Sequence, residues 1–313
     1  MELIKLEDLL VLESLTLNEV SIENGSGVFL IEGGQARQKK SIKVHYHRPE
    51  NFTAQSPILL VLPGAGRNGD SYRDAWVKAS EFYNILVLSP EYAEKDYPFK
   101  DYHLGGIISS WNIQDQISFD EHSNKAYLKE DSLNISYHTD STSWIFNDFD
   151  RIFDLAVQAT ASQQQKYDVF GHSAGGQILH RFVLFHPHSK ANRILASNSG
   201  FYTLADEAID FPFGLAQTHH TTNQLPFSFK KQLTLFIGAL DNAQETGGTL
   251  LRSPTVDKQG LHRLERAHFF YKHSKEKATD LQADFNWQIE IIQGVGHDHH
   301  KMSQAASNYL YNK

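Results

Sequence analysis

The chain of 313 residues contains no cysteine. This absence excludes a disulfide framework, a zinc site with thiolate ligands and a cysteine nucleophile. It leaves the cellular compartment open, because the redox evidence is missing in both directions. The chain also lacks any run of 18 apolar residues, and the sequence therefore predicts no membrane-spanning helix.

Positively charged residues are also fewer than negatively charged ones. Lys and Arg number 29 against 37 Asp and Glu, which gives a formal net charge of −8. A nucleic-acid partner is disfavoured, because phosphate neutralisation needs clustered Lys and Arg. With 40% hydrophobic and 21% charged residues, the composition argues against disorder, fibrous repeats and a coiled coil. We expect a single domain over residues 1–313.

The N-terminal segment MELIKLEDLLVLESL lacks the basic start and the uninterrupted apolar core of a signal peptide. Leu3, Leu6 and Leu10 have the spacing of a short amphipathic helix that docks on the body of the protein. We therefore expect a cytoplasmic location by default, and a periplasmic or secreted one if a leader has been removed.

Apolar runs and helical patterns alternate along most of the chain. Short strands are predicted at 15–22, 28–31 and 42–46. Continuous apolar runs, typical of strands buried on both faces of a parallel sheet, follow at 58–64, 85–90, 167–170, 193–197, 233–237 and 287–292. Helical patterns lie at 71–83, 145–158, 174–185, 261–277 and 302–311. The alternation predicts an α/β fold, a mostly parallel central sheet with helices on both faces and an N-terminal strand hairpin.

Two longer segments, 98–143 and 201–230, interrupt this alternation. The first is polar and turn-rich, yet it contains several aromatic side chains. A long insertion in a compact domain is usually functional or disordered, and the aromatic residues favour a function. We expect the insertion at 98–143 to act as a lid.

The sharpest motif is GHSAG at residues 171–175. A Gly-x-Ser-x-Gly pentapeptide alone is a weak signal, but this one follows an apolar strand and opens an apolar helix. A serine on such a strand-to-helix turn has a strained backbone and needs neighbours without side chains. The pattern predicts Ser173 as a nucleophile. A glycine-rich turn that only packs helix on strand, or holds phosphate, is the alternative.

A serine nucleophile needs a base, and the base needs a carboxylate that orients it. In this fold the acid and the histidine follow the serine in that order, each after a later strand. Asp241 follows LTLFIGAL and His297 follows WQIEIIQGVG, at the sheet edge where ligands bind. We therefore predict Asp241 as the acid and His297 as the base.

Several neighbours compete for these roles. His299 and His300 are rival bases, although we expect them to be solvated at the start of the last helix. The competing acids are Asp206, Asp210 and Glu245. Asp298 is a poor candidate, because a carboxylate next to His297 in the chain rarely reaches the distal ring nitrogen of that histidine. A metal site at His297, Asp298 and His299 is chemically conceivable but has no spaced partner, and we expect no metal.

The remaining requirement is an oxyanion hole. One donor is expected to be the N–H of Ala174, directly after the nucleophile. The second is expected from the glycine-rich loop after the third strand, PGAGRN at 63–68, with Ala65 favoured over Gly66. A simple turn that caps the next helix is the alternative for this loop.

With these motifs in place, the chain resembles the α/β-hydrolases. The resemblance covers residues 28–312 and rests on VLPGAGRNGDSY, YDVFGHSAGG, LTLFIGALDN and IIQGVGHDHHKM. Within that superfamily it is most similar to the esterases grouped with polyhydroxybutyrate depolymerases and feruloyl esterases. Pro63 stands where that family commonly has histidine before the glycine. The resemblance also implies Ala65 as an oxyanion donor.

We therefore predict a serine hydrolase that cleaves a carboxylic ester through an acyl-enzyme and needs no cofactor. Amide hydrolysis and acyl transfer use the same residues and stay open, as does a non-catalytic binding role. The expected partner is a small-molecule or polymer ester. Trp111, Trp144 and Tyr202 are predicted pocket walls, with ordinary core packing as the alternative for each. The oligomeric state is not predicted.

Overall fold

The structure is a computed structural model that describes residues 17–220 and 222–312. The amphipathic helix predicted around Leu3, Leu6 and Leu10 lies outside these residues. The described residues form thirteen strands: β1 (Gly25–Glu32), β2 (Ser41–Arg48), β3 (Ile58–Leu62), β4 (Leu86–Glu91), β5 (Ile108–Trp111), β6 (Ile117–Phe119), β7 (Lys125–Leu128), β8 (Ile135–Tyr137), β9 (Tyr167–His172), β10 (Ala191–Ser197), β11 (Gln232–Gly238), β12 (Leu250–Arg252) and β13 (Gln288–Ile292).

The same residues form ten α-helices: α1 (Gly69–Asp74), α2 (Val77–Tyr83), α3 (Phe99–Tyr102), α4 (Ile113–Gln116), α5 (Phe146–Thr160), α6 (Ala174–Phe185), α7 (Leu225–Lys230), α8 (Pro254–Gln259), α9 (Arg263–Asp280) and α10 (His299–Tyr311). Single-turn 3₁₀ helices lie at Glu130–Ser132, Ser141–Ser143 and Thr222–Gln224.

Eight strands form the central sheet, in the order β1-β2-β4-β3-β9-β10-β11-β13. The β1–β2 hairpin and the β2–β4 pair are antiparallel, and all pairs from β4 to β13 are parallel. The predicted α/β architecture with an N-terminal hairpin is confirmed. Because the strands from β4 to β13 are parallel, their carboxyl ends meet at one edge, where a site can be assembled from distant parts of the chain.

The apolar runs predicted to be buried strands have both faces covered. In β3, Leu59 and Val61 pack in one cluster with residues of α1 and α10. Ile58, Leu60 and Leu62 pack in the other, with residues of α5, α6 and α9. Successive side chains of a strand point to opposite faces, and so a strand between two helical layers must be apolar at every position.

The structure differs from the prediction at two places in the first 83 residues. No strand forms in the described part of 15–22, where Leu17 makes a single isolated bridge to Leu30. Asn18 there adopts a left-handed conformation and its side chain accepts the N–H of Glu32, which turns the chain. The helix predicted at 71–83 is divided into α1 and α2, and the intervening turn buries Trp76 completely against Phe170.

The insertion at 98–143 is folded into small sheets of its own. Strands β5 and β8 form an antiparallel pair. Strand β6 pairs antiparallel with β7, and β7 pairs in parallel with β12, which lies beyond β11 in the chain. The insertion is thereby joined to the segment between β11 and α9.

Candidate active site

Ser173 lies at the turn between β9 and α6. Its backbone has φ 59° and ψ −113°, a strained conformation for a residue with a side chain. A Cβ added to Gly175 would lie 2.1 Å from the carbonyl oxygen of Leu62 in β3, and no larger residue fits there. The turn required by the sequence motif is therefore present, with Ser173 half-buried at the head of a helix.

Asp241 and His297 meet at the carboxyl edge of the sheet. His297 follows β13 and donates from Nδ1 to Oδ2 of Asp241 over 2.8 Å. A carboxylate can only accept, and this bond leaves Nε2 of His297 free to act as an acceptor. Asp241 is 1% exposed and also accepts from Nδ2 of Asn198 at 2.6 Å and from Nη1 of Arg263 at 3.0 Å.

The hydrogen bonds and the burial of this group set its charges. Burial disfavours the charged form of Asp241, but the bond from His297 and the charge of Arg263 outweigh it and lower the pKa of the carboxyl. Burial lowers the pKa of His297 more strongly than its bond to Asp241 raises it. At neutral pH the pair is therefore a carboxylate beside a neutral imidazole.

The competing carboxylates are engaged elsewhere. Oδ2 of Asp206 lies 3.7 Å from Nε2 of His273, and Oδ1 of Asp206 accepts the N–H of Ala208. Asp210 lines a separate cavity of about 740 Å³. Asp298 caps α10 by accepting the N–H groups of His300 and Lys301.

Glu245 is close to the candidate base but contacts its backbone. Its Oε2 accepts the N–H of His297 at 2.7 Å, and its Oε1 accepts the N–H of Gly247 at 2.7 Å. Glu245 therefore shapes the loop that presents the imidazole, while Asp241 contacts the ring itself.

The expectation of two solvated histidines at the start of the last helix is wrong for His299. Its ring stacks on Tyr72, with centroids 4.4 Å apart, and lines the same cavity as Ser173. Burial, helped by the neighbouring His300, lowers the pKa of His299 to about 4. His300 is exposed, as predicted.

A third histidine, His172, is packed beside the candidate base. It is 3% exposed, its ring centroid lies 4.6 Å from that of His297, and its Nδ1 lies 3.2 Å from the hydroxyl of Tyr72. Burial above all, with the nearby His297 and His299, holds its pKa well below the usual value. His172 is therefore neutral at neutral pH.

The two expected oxyanion donors lie in segments that pack together at the nucleophile. Ala174 is the first residue of α6, where a backbone N–H has no acceptor within the helix. Ala65 lies in an exposed turn after β3 that lines the cavity. A Cβ on the adjacent Gly64 would lie 3.6 Å from Cβ of Ser173, which places the loop against the nucleophile turn.

A cavity of about 660 Å³ opens beside Ser173 and His297. The insertion supplies much of its wall: Phe99, His103, Trp111, Ile113, Gln114, Ile117, Phe119, Ala126 and Leu128. Among the described residues that line it, Glu94 is the single Asp, Glu, Lys or Arg. The wall is therefore largely apolar, with histidines near the nucleophile.

Of the three predicted pocket walls, Trp111 alone lines the cavity, where it stacks on Phe99 with centroids 5.7 Å apart. Tyr202 and Trp144 are corrected to core residues. Tyr202 is fully buried and stacks on Phe270, with ring centroids 4.5 Å apart. Trp144 packs edge-to-face against Phe185. Neither position could be separated from core packing by sequence alone.

Three polar residues of the site were missed by sequence reasoning. Asn198 follows β10, between the strands that carry Ser173 and Asp241, and its position at a strand end was a usable signal. Arg263 begins α9, and Asn124 in the insertion donates from Nδ2 to the carbonyl oxygen of Gly248 at 3.0 Å. No motif marked either one, since their contacts depend on how loops fold back.

Two further properties concern the described part of the chain as a whole. Within residues 17–220 and 222–312, no group of three or more His, Asp or Glu side chains is arranged to hold a metal ion. None of the helices in these ranges is both long and apolar enough to cross a membrane.

Comparison with known proteins decides the family. No protein-family model and no curated protein sequence matches the chain. Poly(aspartic acid) hydrolase-1 from Sphingomonas sp. KT-1 is 34% identical, with 93% of this chain and 100% of that chain covered and a TM-score of 0.77. The chain belongs to the family of this hydrolase.

More distant structures share the fold. The poly(3-hydroxybutyrate) depolymerase LpqC from Bordetella parapertussis is 24% identical over 93% of this chain and 90% of its own, with a TM-score of 0.78. The siderophore hydrolase EstA from Aspergillus nidulans is 12% identical over 92% and 95%, with a TM-score of 0.53. The protein is a hydrolase of the α/β-hydrolase fold, as the sequence motifs predicted.

Proposed function

We propose that this member of the family hydrolyses a carboxylic ester through an acyl-enzyme formed on Ser173. The observation that carries the proposal is the 2.8 Å hydrogen bond between His297 and Asp241, beside a cavity that both Ser173 and His297 line. Nucleophile, base and orienting carboxylate are the three groups that acyl transfer by a serine requires.

The geometry supports the following sequence of steps. Oγ of Ser173 attacks the ester carbonyl while Nε2 of His297 takes its proton and later returns it to the leaving alcohol. Asp241 fixes the tautomer of His297 and stabilises the imidazolium that forms. The N–H groups of Ala65 and Ala174 stabilise the oxyanion, each by roughly 2.7–4 kcal/mol. Water then hydrolyses the acyl-enzyme.

The wall of the cavity favours a neutral substrate with an apolar group. Trp111, Phe99 and Leu128 offer apolar surface from the insertion. Glu94 would repel an anionic substrate, and none of the described lining residues is a lysine or arginine that could attract one. A volume of about 660 Å³ accommodates a medium-sized acyl or alcohol group.

The direct test is hydrolysis of p-nitrophenyl esters from acetate to decanoate by the wild type and by Ser173→Ala. We expect turnover that is lost in the variant, and an optimum chain length that reports the size of the acyl site. Folded wild-type protein that cleaves none of these esters, or a variant as active as the wild type, would contradict the proposal. The former result would favour a narrow amidase, an acyltransferase or a binding protein.

Amide hydrolysis is the second candidate, because the 34% identical relative is a poly(aspartic acid) hydrolase. The same three residues can attack an amide, and the substrate would then be an anionic polymer. Incubation with poly(aspartic acid), followed by chromatography of the products, tests this. Efficient cleavage of that polymer, with little activity on neutral esters, would replace the ester proposal with this one.

A further inference from the structure

The first turn of α9 places a buried guanidinium behind the candidate base. Arg263 is 2% exposed and donates from Nη1 to Oδ1 of Asp241 at 3.0 Å. The other oxygen of Asp241 accepts from His297. One carboxylate therefore joins the imidazole on one side to the guanidinium on the other.

Arg263 also holds the loop that covers the imidazole. Its Nη2 donates to the carbonyl oxygens of Gly248 and Thr249, at 2.9 and 3.0 Å. Gly248 has φ +60°, and a Cβ there would lie 2.6 Å from Nε2 of His297. The backbone fixed by Arg263 thus packs directly against the nitrogen that must exchange a proton with Ser173.

The charged and titratable groups around His297 come from several elements. Asp241 and Glu245 follow β11, and Arg263 lies on α9. His172 ends β9, and its ring contacts that of His297. His299 on α10 completes the set, and its pKa of about 4 leaves it neutral at neutral pH. Arg263 is therefore the cation in this group that opposes protonation of His297.

We propose that Arg263 is a positioning residue that balances the charge of Asp241 and fixes the loop at 248–249 against His297. The inference rests on the proposed role of His297 as the base. The positive charge keeps the base neutral to lower pH, because it makes an additional positive charge on the imidazole less favourable. The two carbonyl bonds restrict the imidazole to one orientation.

Two substitutions separate the charge from the bonds. Arg263→Gln removes the cation, and we expect the pKa of His297 to rise. The acid limb of the pH profile of kcat/KM should therefore move to higher pH, by about one unit. Arg263→Lys keeps the positive charge but lacks the planar guanidinium, whose two nitrogens bond Asp241 and the carbonyls of residues 248–249 at the same time. We expect its acid limb to stay at the wild-type pH, while kcat falls by about tenfold with little change in KM.

Arg266 provides a matched control one turn further along α9. It is also fully buried and also donates to backbone carbonyls, at Gly200 and Leu251, but the carboxylate that it pairs with is Asp257 rather than Asp241. Arg266→Gln should lower the melting temperature without moving the acid limb. Melting curves of all variants show which of them fold.

The outcomes distinguish this inference from the proposed function. If wild-type activity depends on Ser173 but Arg263→Gln leaves the acid limb in place, Arg263 does not tune the base. If Arg263→Gln fails to fold, the kinetics of Arg263→Lys decide, and an unchanged kcat would overturn the positioning role. An active Ser173→Ala variant would instead overturn the proposed function itself.

Discussion

The carboxyl edge of the central sheet and the insertion at 98–143 face the same cavity but differ in how they are built. At the sheet edge, Ser173, Asp241 and His297 each follow a parallel strand, and strand order places all three at the same edge. His297 bonds Asp241 there and lines one cavity with Ser173. The insertion contributes apolar side chains from short strands and turns. Its position depends on pairing with β12 and on side-chain bonds.

The two regions differ in what determines the positions of their side chains. A regular sheet converts the order of strands into the positions of their ends, so chemistry placed after strands is fixed in space by topology. An irregular insertion has no such rule, and its inward-facing residues follow from many local contacts. We therefore expect substitutions at the sheet edge to alter turnover, and substitutions in the insertion to alter substrate preference.

The largest expected effect is loss of the base. His297→Ala should reduce kcat on the order of 10⁶-fold, as removal of the triad histidine does in serine proteases. His299→Ala and His300→Ala, measured with the same ester, should stay within tenfold of the wild type. A dead His299→Ala variant beside an active His297→Ala variant would reassign the base.

Loss of the acid comes next. Asp241→Asn should reduce turnover on the order of 10⁴-fold, because an amide stabilises the wrong tautomer of the histidine and does not stabilise the imidazolium. Asp206→Asn and Asp210→Asn are controls on carboxylates that point elsewhere. Activity of Asp241→Asn within tenfold of the wild type would mean that another carboxylate does this work.

Much of the sheet edge could be predicted from the sequence, and the reasons are physical. Apolar runs identify the buried strands, and the GHSAG turn requires glycines such as Gly175 beside β3. Tyr202 was misplaced because an aromatic residue after a strand end can face the cavity or the core. Arg263 was missed because a buried arginine is recognisable only once its acceptors are known.

A change in the insertion should alter selectivity rather than chemistry. Trp111→Ala removes apolar surface from the cavity wall, so KM for octanoate should rise by about tenfold while acetate is little affected. Trp144→Phe alters a core residue and should lower stability without changing chain-length preference. Equal loss on acetate and octanoate in Trp111→Ala would contradict a role in binding the chain.

The smallest expected effect tests the contact between the two regions. Nδ2 of Asn124 in the insertion lies within hydrogen-bond distance of the carbonyl oxygens of Glu245, Gly247 and Gly248. Asn124→Ala should lower kcat by about threefold, since such bonds contribute roughly 0.5–1.5 kcal/mol each. Asn112→Ala, whose amide bonds stay within the insertion, is the matched control. Identical kinetics of Asn124→Ala and Asn112→Ala would mean that the contact through Asn124 does not couple the insertion to the sheet edge.

The contact through Asn124 also limits how the enzyme can be redesigned. The insertion is not an independent module, because its strand β7 pairs with β12 and its Asn124 holds the turn that carries Gly248. A transplant of residues 98–143 from a relative would bring a new wall and discard the partners of that turn. The unit of exchange is therefore the insertion together with residues 245–252, so that specificity is transferred without misaligning the histidine.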